Sequence, residues 1–158
     1  MVWIKRLVFG VIGLLAVIQA IRPSRTNPAV DPKNEIAAHL MVPPEVAAIF
    51  DRSCSDCHSN RTIWPSYSGV APISWLIAYD VNHGRRALNF SEWGTGTAKT
   101  NTDALQEICK ELTEKEMPGP IYPILHPTAR LTESDIQTVC SWTHTAGQGV
   151  AETRQTNP

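Results

Sequence analysis

The stretch 51-DRSCSDCHSNRTIWP-65 contains two cysteines separated by two residues and a histidine directly after the second: Cys54, Cys57 and His58. Two thiols at this spacing lie about one helical turn apart, where they can add to the two vinyl groups of a haem. The histidine that follows is then placed to bind the iron as its proximal ligand. We therefore interpret the stretch as the attachment site of one covalent haem c.

Two other kinds of site use the same pair of cysteines. A zinc site needs two further ligands, and Cys109 and Cys140 are available, but they are far apart on separate predicted helices and form no second C-x-x-C. A thioredoxin-like dithiol is expected in a βαβ context, which is missing from this sequence. A structural zinc module is kept as a minor alternative.

Length and charge limit the kinds of protein this chain can be. The 158 residues, 42% of them hydrophobic, suffice for one domain with a core and are too few for two. With 14 basic and 15 acidic residues the formal net charge is -1, so no strong positive field attracts nucleic acid. We exclude DNA and RNA as partners.

The first residues have the pattern of a targeting segment. Two basic residues precede an uncharged apolar run over residues 7–21, followed by an arginine and a proline. We predict a signal peptide or membrane anchor over residues 1–22 that leaves the domain on the periplasmic side of a bacterial inner membrane. Ile18 and Ala20 make a poor cleavage site, which favours a retained anchor over an exported, cleaved form.

The segments on either side of the domain are predicted to be irregular. Residues 23–43 are rich in proline without a sustained period and predict an extended tether. Residues 147–158 lack a periodic apolar pattern and predict a disordered tail. The domain itself is therefore assigned to residues 44–146.

Apolar residues at helical spacing predict four helices within the domain, and no alternating strand pattern of useful length occurs. The helices cover, in order, residues 44–58, 73–83, 101–115 and 131–146. The first carries both motif cysteines at its C-terminal end, and Gly84 ends the second. The fourth opens with Thr132 and Asp135 in a pattern close to a capping box. We predict an all-α fold.

A haem iron with two axial ligands needs a second ligand from the protein. Met117 lies in the proline-rich loop 113-TEKEMPGPIYP-123, just after a predicted helix. A thioether held on a stiffened loop is suited to bind the iron and to raise its reduction potential. The alternative for an isolated methionine is a core-filling role. The imidazoles of His126 and His83 are the second and third candidates for the distal ligand.

Other residues are candidates for supporting roles. Cys109 and Cys140 lie on core-facing stripes of two predicted helices, which in an exported domain favours a disulfide worth about 2–4 kcal/mol. Two buried free thiols are the alternative. Trp64 and Arg85 are candidates to contact the haem, as an apolar wall and as the partner of a propionate. Ordinary packing and solvation are the alternative for these two residues.

Two long stretches of the sequence carry a resemblance to a known family. Residues 54–93, CSDCHSNRTIWPSYSGVAPISWLIAYDVNHGRRALNFSEW, form the first, and residues 108–143, ICKELTEKEMPGPIYPILHPTARLTESDIQTVCSWT, form the second. They resemble the bacterial haem-binding domain family of small, exported, single-haem c-type cytochromes. The similarity extends from Arg25 to Thr143.

The resemblance implies a cytochrome c-like helical domain around one haem. It implies covalent attachment of that haem at Cys54 and Cys57. It also implies iron ligation by His58 and by Met117, which matches the "MP" of the family pattern. Ser66 departs from the pattern, which has an aromatic residue here, and this bears on packing beside the haem rather than on ligation.

These observations predict a membrane-tethered monohaem c-type cytochrome that transfers single electrons, and they favour an electron carrier over a catalyst. Its expected partners are exported redox proteins or membrane quinol-oxidising complexes, with the inner membrane holding the N-terminal segment. The alternative is a haem-based sensor, a ligand-binding protein or a small peroxidase. In that case Met117 is absent from the iron or easily displaced.

Overall fold

The computed structural model describes the backbone of residues 1–156, and their side chains except those of Ala98 and residues 151–156. Within this part of the chain every regular element is helical and no strand occurs, which confirms the all-α prediction. The α-helices are α1 (Val2–Ile18), α2 (Ile36–His39), α3 (Pro44–Ser53), α4 (Ser55–His58), α5 (Ile73–Ala87), α6 (Ala98–Thr113), α7 (Tyr122–Leu125) and α8 (Glu133–Thr156). Short 3-10 helices cover Ser66–Gly69, Phe90–Thr95 and Pro127–Ala129.

The hydrophobic core is built mainly from α3, α6 and α8. α6 packs against α8, which also contacts α3. Leu105 on α6, Val46 on α3 and Val139 on α8 are almost completely removed from solvent. The other buried members of the core are Ile36, Ile49, Phe50, Phe90, Trp93, Leu112 and Trp142. Burial of this apolar surface is the main force that holds the helices together.

A disulfide joins the two long helices of the core. Cys109 on α6 and Cys140 on α8 are bonded at an S–S distance of 1.99 Å, with 4.8 Å between their Cα atoms. The predicted disulfide is therefore confirmed, and the alternative of two free thiols is wrong. The bond also uses the two cysteines that a zinc site would have needed.

The stretch predicted as one helix over residues 44–58 forms two helices. α3 ends at Ser53 and α4 begins at Ser55, because Cys54 between them has φ −127° and ψ −39°. The N–H groups of Cys57 and His58 both donate to the carbonyl oxygen of Cys54, which starts the new turn. The prediction of a continuous helix is wrong because apolar spacing does not reveal a break at one residue.

α5 runs past the glycine that was predicted to end it. The helix continues to Ala87, and Gly84 is buried within it. A Cβ atom at Gly84 would lie 2.6 Å from the carbonyl oxygen of Cys57, which is closer than a side chain can approach. Gly84 therefore permits close packing of α5 on α4 and does not end the helix.

α8 begins as predicted but extends further than predicted. The Thr132 N–H and hydroxyl both donate to Asp135 Oδ2 at 2.8 Å, and the Asp135 N–H donates back to Thr132 Oγ1 at 3.1 Å, which confirms the capping box. Residues 147–156 continue the helix where a disordered tail was predicted, because each residue added to an existing helix gains a backbone hydrogen bond without the cost of nucleation. Residues 157–158 lie outside the described residues.

α1 stands apart from the core. Each residue from Val2 to Val17 is exposed. Among the described residues, no helix has both the length and the apolar character that crossing a membrane requires. The end of α1 is joined to the domain by Gln19, whose side chain donates to the Ala71 carbonyl oxygen at 3.1 Å and accepts from the Ala71 N–H at 3.0 Å.

The segment predicted as a tether, residues 23–43, packs against the domain. The Asn27 side chain donates to the carbonyl oxygen of Thr62 at 3.0 Å. Ile36 is buried in the core, and Leu40 packs against it. An extended tether does not describe this segment, because its apolar residues find partners in the core despite the prolines around them.

Candidate functional site

The C-x-x-C-H turn presents two half-buried free thiols. Burial raises the pKa of Cys54 to about 12 and the pKa of Cys57 to about 11, and the carboxylate of Asp80 contributes to the second shift. Such thiols are protonated at neutral pH and exchange poorly with disulfides, because the thiolate is the attacking species. These pKa values argue against a thioredoxin-like redox site.

The imidazole of His58 has one of its two ring nitrogens engaged. Nδ1 lies 3.0 Å from the carbonyl oxygen of Leu88, the residue at which α5 is capped. A carbonyl can only accept, so Nδ1 carries the proton and Nε2 keeps its lone pair. Burial lowers the pKa of His58 and outweighs the opposing effect of the nearby backbone of Leu88 and Gly84, which favours the neutral ring. A neutral imidazole with a free Nε2 is the form that binds a metal.

The backbone at the end of α6 positions Met117. Lys115 has a φ of 62°, and its N–H donates to the Leu112 carbonyl oxygen at 3.2 Å. The Glu116 N–H donates to the carbonyl oxygen of Glu111 at 3.0 Å, which completes a Schellman motif. The Met117 N–H donates to the same oxygen at 3.2 Å. The Met117 side chain is 41% exposed, so it does not fill the core.

A series of polar and ring contacts ties α7 to the motif. The Tyr122 hydroxyl donates to Asp56 Oδ2 at 2.7 Å, and Asp56 lies between the two cysteines. The Tyr122 ring stacks on His126, with 4.4 Å between ring centroids and 17° between planes. His126 Nε2 in turn lies 2.6 Å from the hydroxyl of Tyr67. His126, the first alternative to Met117 as distal ligand, is thus held by contacts with two tyrosines.

The third predicted ligand, His83, lies elsewhere on the surface of α5. It is exposed and stacks on Tyr79, with 5.7 Å between ring centroids and 12° between planes. The next residue of the same helix is Gly84, which packs against the motif. His83 therefore adjoins a residue that contacts the motif, but its ring stacks on the exposed Tyr79.

Exposed apolar side chains occur on both segments that adjoin the motif. α5 and α7 are joined to the motif by the Gly84 and Tyr122 contacts described above. The exposed residues are Ile73, Leu76 and Tyr79 on α5, and Ile121, Ile124 and Leu125 at α7. Exposed apolar clusters of this kind often mark a ligand or partner site. Two thiols, an imidazole with a free Nε2 and apolar flanks are the groups that fit a covalently attached haem.

Arg85 and Trp64 both contact the N-terminal segment. The Trp64 Nε1–H donates to Asn27 Oδ1 at 3.2 Å. The Arg85 guanidinium donates to four oxygens, at 2.7–3.2 Å: those of Ser59 O, Thr26 O, Asn27 Oδ1 and Thr62 Oγ1. These bonds tie residues 26–27 to the chain that follows the motif. A guanidinium used in this way is less available to a propionate than the sequence suggested.

Three features of the site have weak sequence signals or none. The carbonyl of Leu88 is backbone, and nothing in a sequence marks it as the partner of a histidine. A glycine inside a helical pattern can indicate close packing, and that signal at Gly84 was available. The Asp56–Tyr122 hydrogen bond joins residues that are far apart in the chain, and neither residue type alone indicates the other.

The fold and the donor groups define a helical haem-binding protein, and comparison with known families agrees. The family described as haem-binding domain matches residues 13–145, and the chain belongs to this family. The match covers the motif, Met117 and both disulfide cysteines. Comparisons with curated proteins and with solved structures found no match.

The minor alternative, a structural zinc module, lacks ligands. Cys109 and Cys140 are bonded to each other. In the part of the chain that the structure describes, no group of three or more His, Cys, Asp or Glu side chains could hold a metal ion. The zinc interpretation therefore has no support beyond the first pair of cysteines.

Proposed function

We propose that this protein is a monohaem c-type cytochrome that carries single electrons outside the cytoplasm. Its haem is bound through thioethers from Cys54 and Cys57, with His58 as proximal ligand and Met117 as distal ligand. The observation that carries the proposal is the His58 ring, whose Nδ1–H is bonded to Leu88 while Nε2 stays available directly after two free cysteines at C-x-x-C spacing.

Each named residue has a role in holding and tuning the haem. The carbonyl of Leu88 fixes the orientation of the His58 ring and makes Nε2 a better donor. Met117 offers a neutral thioether, which favours ferrous iron and raises the reduction potential. The bound haem supplies the one-electron couple of iron. If His58 and Met117 both bound the iron, no open site would remain for a substrate, and this favours an electron carrier over an enzyme.

The location we propose is the periplasmic side of a bacterial inner membrane. From Leu7 onward α1 carries only apolar residues and glycine, and it is exposed as far as Val17; a helix surface of this kind needs apolar surroundings. Its basic residues Lys5 and Arg6 suit a cytoplasmic start. The disulfide between Cys109 and Cys140 suits an oxidising compartment. Electron donors and acceptors are then exported redox proteins or membrane quinol-oxidising complexes.

Visible spectroscopy tests the cofactor and its ligands. The protein is produced in a host with a c-type maturation system, and oxidised and reduced spectra are compared with those of Met117→Ala. We expect a c-type reduced spectrum and, in the oxidised protein, the weak long-wavelength band of methionine-ligated ferric haem. The band should vanish in Met117→Ala and remain in Met41→Ala, which alters a methionine that is 93% exposed.

The other outcomes separate the alternative functions. A colourless protein would contradict haem attachment. A band that Met117→Ala leaves unchanged, or that is absent from the start, would move the distal position to His126, His83 or no residue. Rapid carbon monoxide binding by the reduced wild-type protein would favour the sensor or peroxidase function, because a firm Met–Fe bond resists displacement.

A further inference from the structure

Two residues of one short segment could serve as the distal ligand. Met117 and His126 both belong to the chain between α6 and the Pro127–Ala129 turn. Imidazole and thioether give haem iron very different properties, since a methionine ligand raises the reduction potential. Which of the two side chains is available therefore decides what kind of cytochrome this is.

His126 is held from several directions. Its Nε2 lies 2.6 Å from the Tyr67 hydroxyl, and its ring is stacked at 4.4 Å on Tyr122. Its backbone N–H donates to the Tyr122 carbonyl oxygen at 2.9 Å, and its own carbonyl accepts from Ala129 at 2.9 Å. The nitrogen that would bind iron is thus the one that Tyr67 occupies.

The two tyrosines that hold His126 are themselves fixed to the motif region. The Tyr122 hydroxyl is bonded to Asp56 Oδ2 at 2.7 Å, and Asp56 Oδ1 accepts from the Ile63 N–H at 2.8 Å. Tyr67 belongs to the Ser66–Gly69 turn, which packs against α5. His126 can therefore reach an iron above His58 only after its contacts to elements beside the motif have been broken.

Met117 is subject to no comparable side-chain restraint among the contacts described above. Its backbone is fixed by the end of α6, whereas the residue is 41% exposed. A fixed backbone with an exposed residue suits a ligand that needs no rearrangement of its neighbours to bind.

We propose that Tyr67 and Tyr122 are positioning residues that select the distal ligand by withholding His126 from the iron, so that Met117 binds. This inference rests on the proposed function and specifies how its His/Met ligation arises. The tyrosine hydroxyls provide the selectivity, because one bonds the His126 nitrogen and the other fixes the ring on which His126 stacks.

Removing the hydroxyls while keeping the rings tests the proposal. In Tyr67→Phe/Tyr122→Phe we expect loss of the methionine band, a downward shift of the reduction potential and spectra of bis-histidine haem. Adding His126→Ala to this variant should restore the methionine band, and His126→Ala alone should retain it. Thr138→Val is the control: it removes a side-chain hydroxyl on α8 that bonds the Ser134 carbonyl oxygen, and its spectrum should equal that of the wild type.

Two results would overturn this inference alone. One is a folded double variant that keeps the wild-type band and potential. The other is a lost band that His126→Ala does not restore. If the double variant is too unstable to purify, Tyr67→Phe and Tyr122→Phe are measured singly. Each should weaken the methionine band and lower the reduction potential, and a wild-type band and potential in both would overturn the inference. A wild-type protein without the methionine band would instead overturn the proposed function, and this inference with it.

Discussion

A Cβ atom placed on Gly84 would lie 2.6 Å from the carbonyl oxygen of Cys57 and 3.1 Å from the Cys57 side chain. α5 therefore meets the C-x-x-C-H turn backbone to backbone. This contact also brings Leu88, four residues further along, to the ring of His58. The glycine is thus needed for the geometry of the site rather than for a turn.

Gly84→Ala should destabilise the protein by about 1–3 kcal/mol, because the backbone of α4 or α5 has to shift to admit a methyl group. The free energy of unfolding is measured by urea denaturation. Gly147→Ala in α8 is the control, since an added Cβ there meets nothing within 4 Å. It should be neutral or stabilise by up to about 1 kcal/mol. Equal effects of the two substitutions would show that the close approach is unimportant.

Arg85→Lys should destabilise the protein although it conserves the charge. Lysine cannot reproduce the fork that bonds Thr26, Asn27, Ser59 and Thr62 together. We expect a loss of about 1–3 kcal/mol in unfolding free energy and faster amide exchange at Thr26, Asn27 and Ala29. Arg86→Lys, at an exposed position next to it, should change stability by less than about 0.5 kcal/mol. An unchanged exchange rate in Arg85→Lys would contradict the role assigned to the guanidinium.

Asp135 should make stability depend on pH in the acid range. Burial acts to raise the pKa of Asp135, but hydrogen bonds from Thr132 and the ion pair with Arg52 at 2.7 Å outweigh it and hold the pKa below its usual range. A depressed carboxyl pKa stabilises the fold above the unfolded value of about 3.9, and this contribution is lost as the pH falls through the folded pKa.

Asp135→Asn should therefore cost about 1–2 kcal/mol at pH 7, the range for weakening the capping of a helix N-terminus, and less at about pH 3, below the unfolded pKa. Urea unfolding at the two pH values measures the difference. Asp103→Asn is the control, because its ion pair with Lys99 is exposed, and it should cost at most a few tenths of a kcal/mol. A deficit of equal size at both pH values would disprove the linkage to this carboxyl.

Loss of the disulfide should lower stability by about 3–4 kcal/mol, the loop-entropy value for a 31-residue separation. The variant is Cys109→Ala/Cys140→Ala, which leaves the motif cysteines in place. Thermal unfolding is followed with and without a reducing agent. The reductant should lower the Tm of the wild type and leave that of the variant unchanged. If the reductant lowers the Tm of both proteins, a group other than this disulfide is sensitive to reduction.

Some elements of the fold were predicted from the sequence more accurately than others. The places where the core helices begin were predicted to within a few residues, because apolar periodicity reports the face that each helix buries, whereas the end of α8 was not predicted. The break at Cys54 and the continuation of α5 through Gly84 were not predicted. Both depend on how two elements approach each other, and local spacing contains no information about that approach.

The supporting residues were harder still to predict. Arg85 was expected to face a propionate, yet its hydrogen bonds go to residues 26–27 and to the chain after the motif. Residues 23–43 were expected to be a tether, yet Ile36 belongs to the core. In both cases the chemistry of the residues was interpreted correctly, but the sequence did not show which residues they would contact.

The sequence by itself determined the chemistry of the protein: two thiols and an imidazole at fixed local spacing, a helical domain, and two cysteines on core-facing stripes. Only the tertiary structure decided that His58 donates to Leu88, 30 residues away, and that His126 is bonded to Tyr67, 59 residues away. The physical reason is the distance along the chain over which each feature is determined. Spacing within one helical turn is set by covalent geometry, whereas the partner of a buried polar group is set by how distant segments pack.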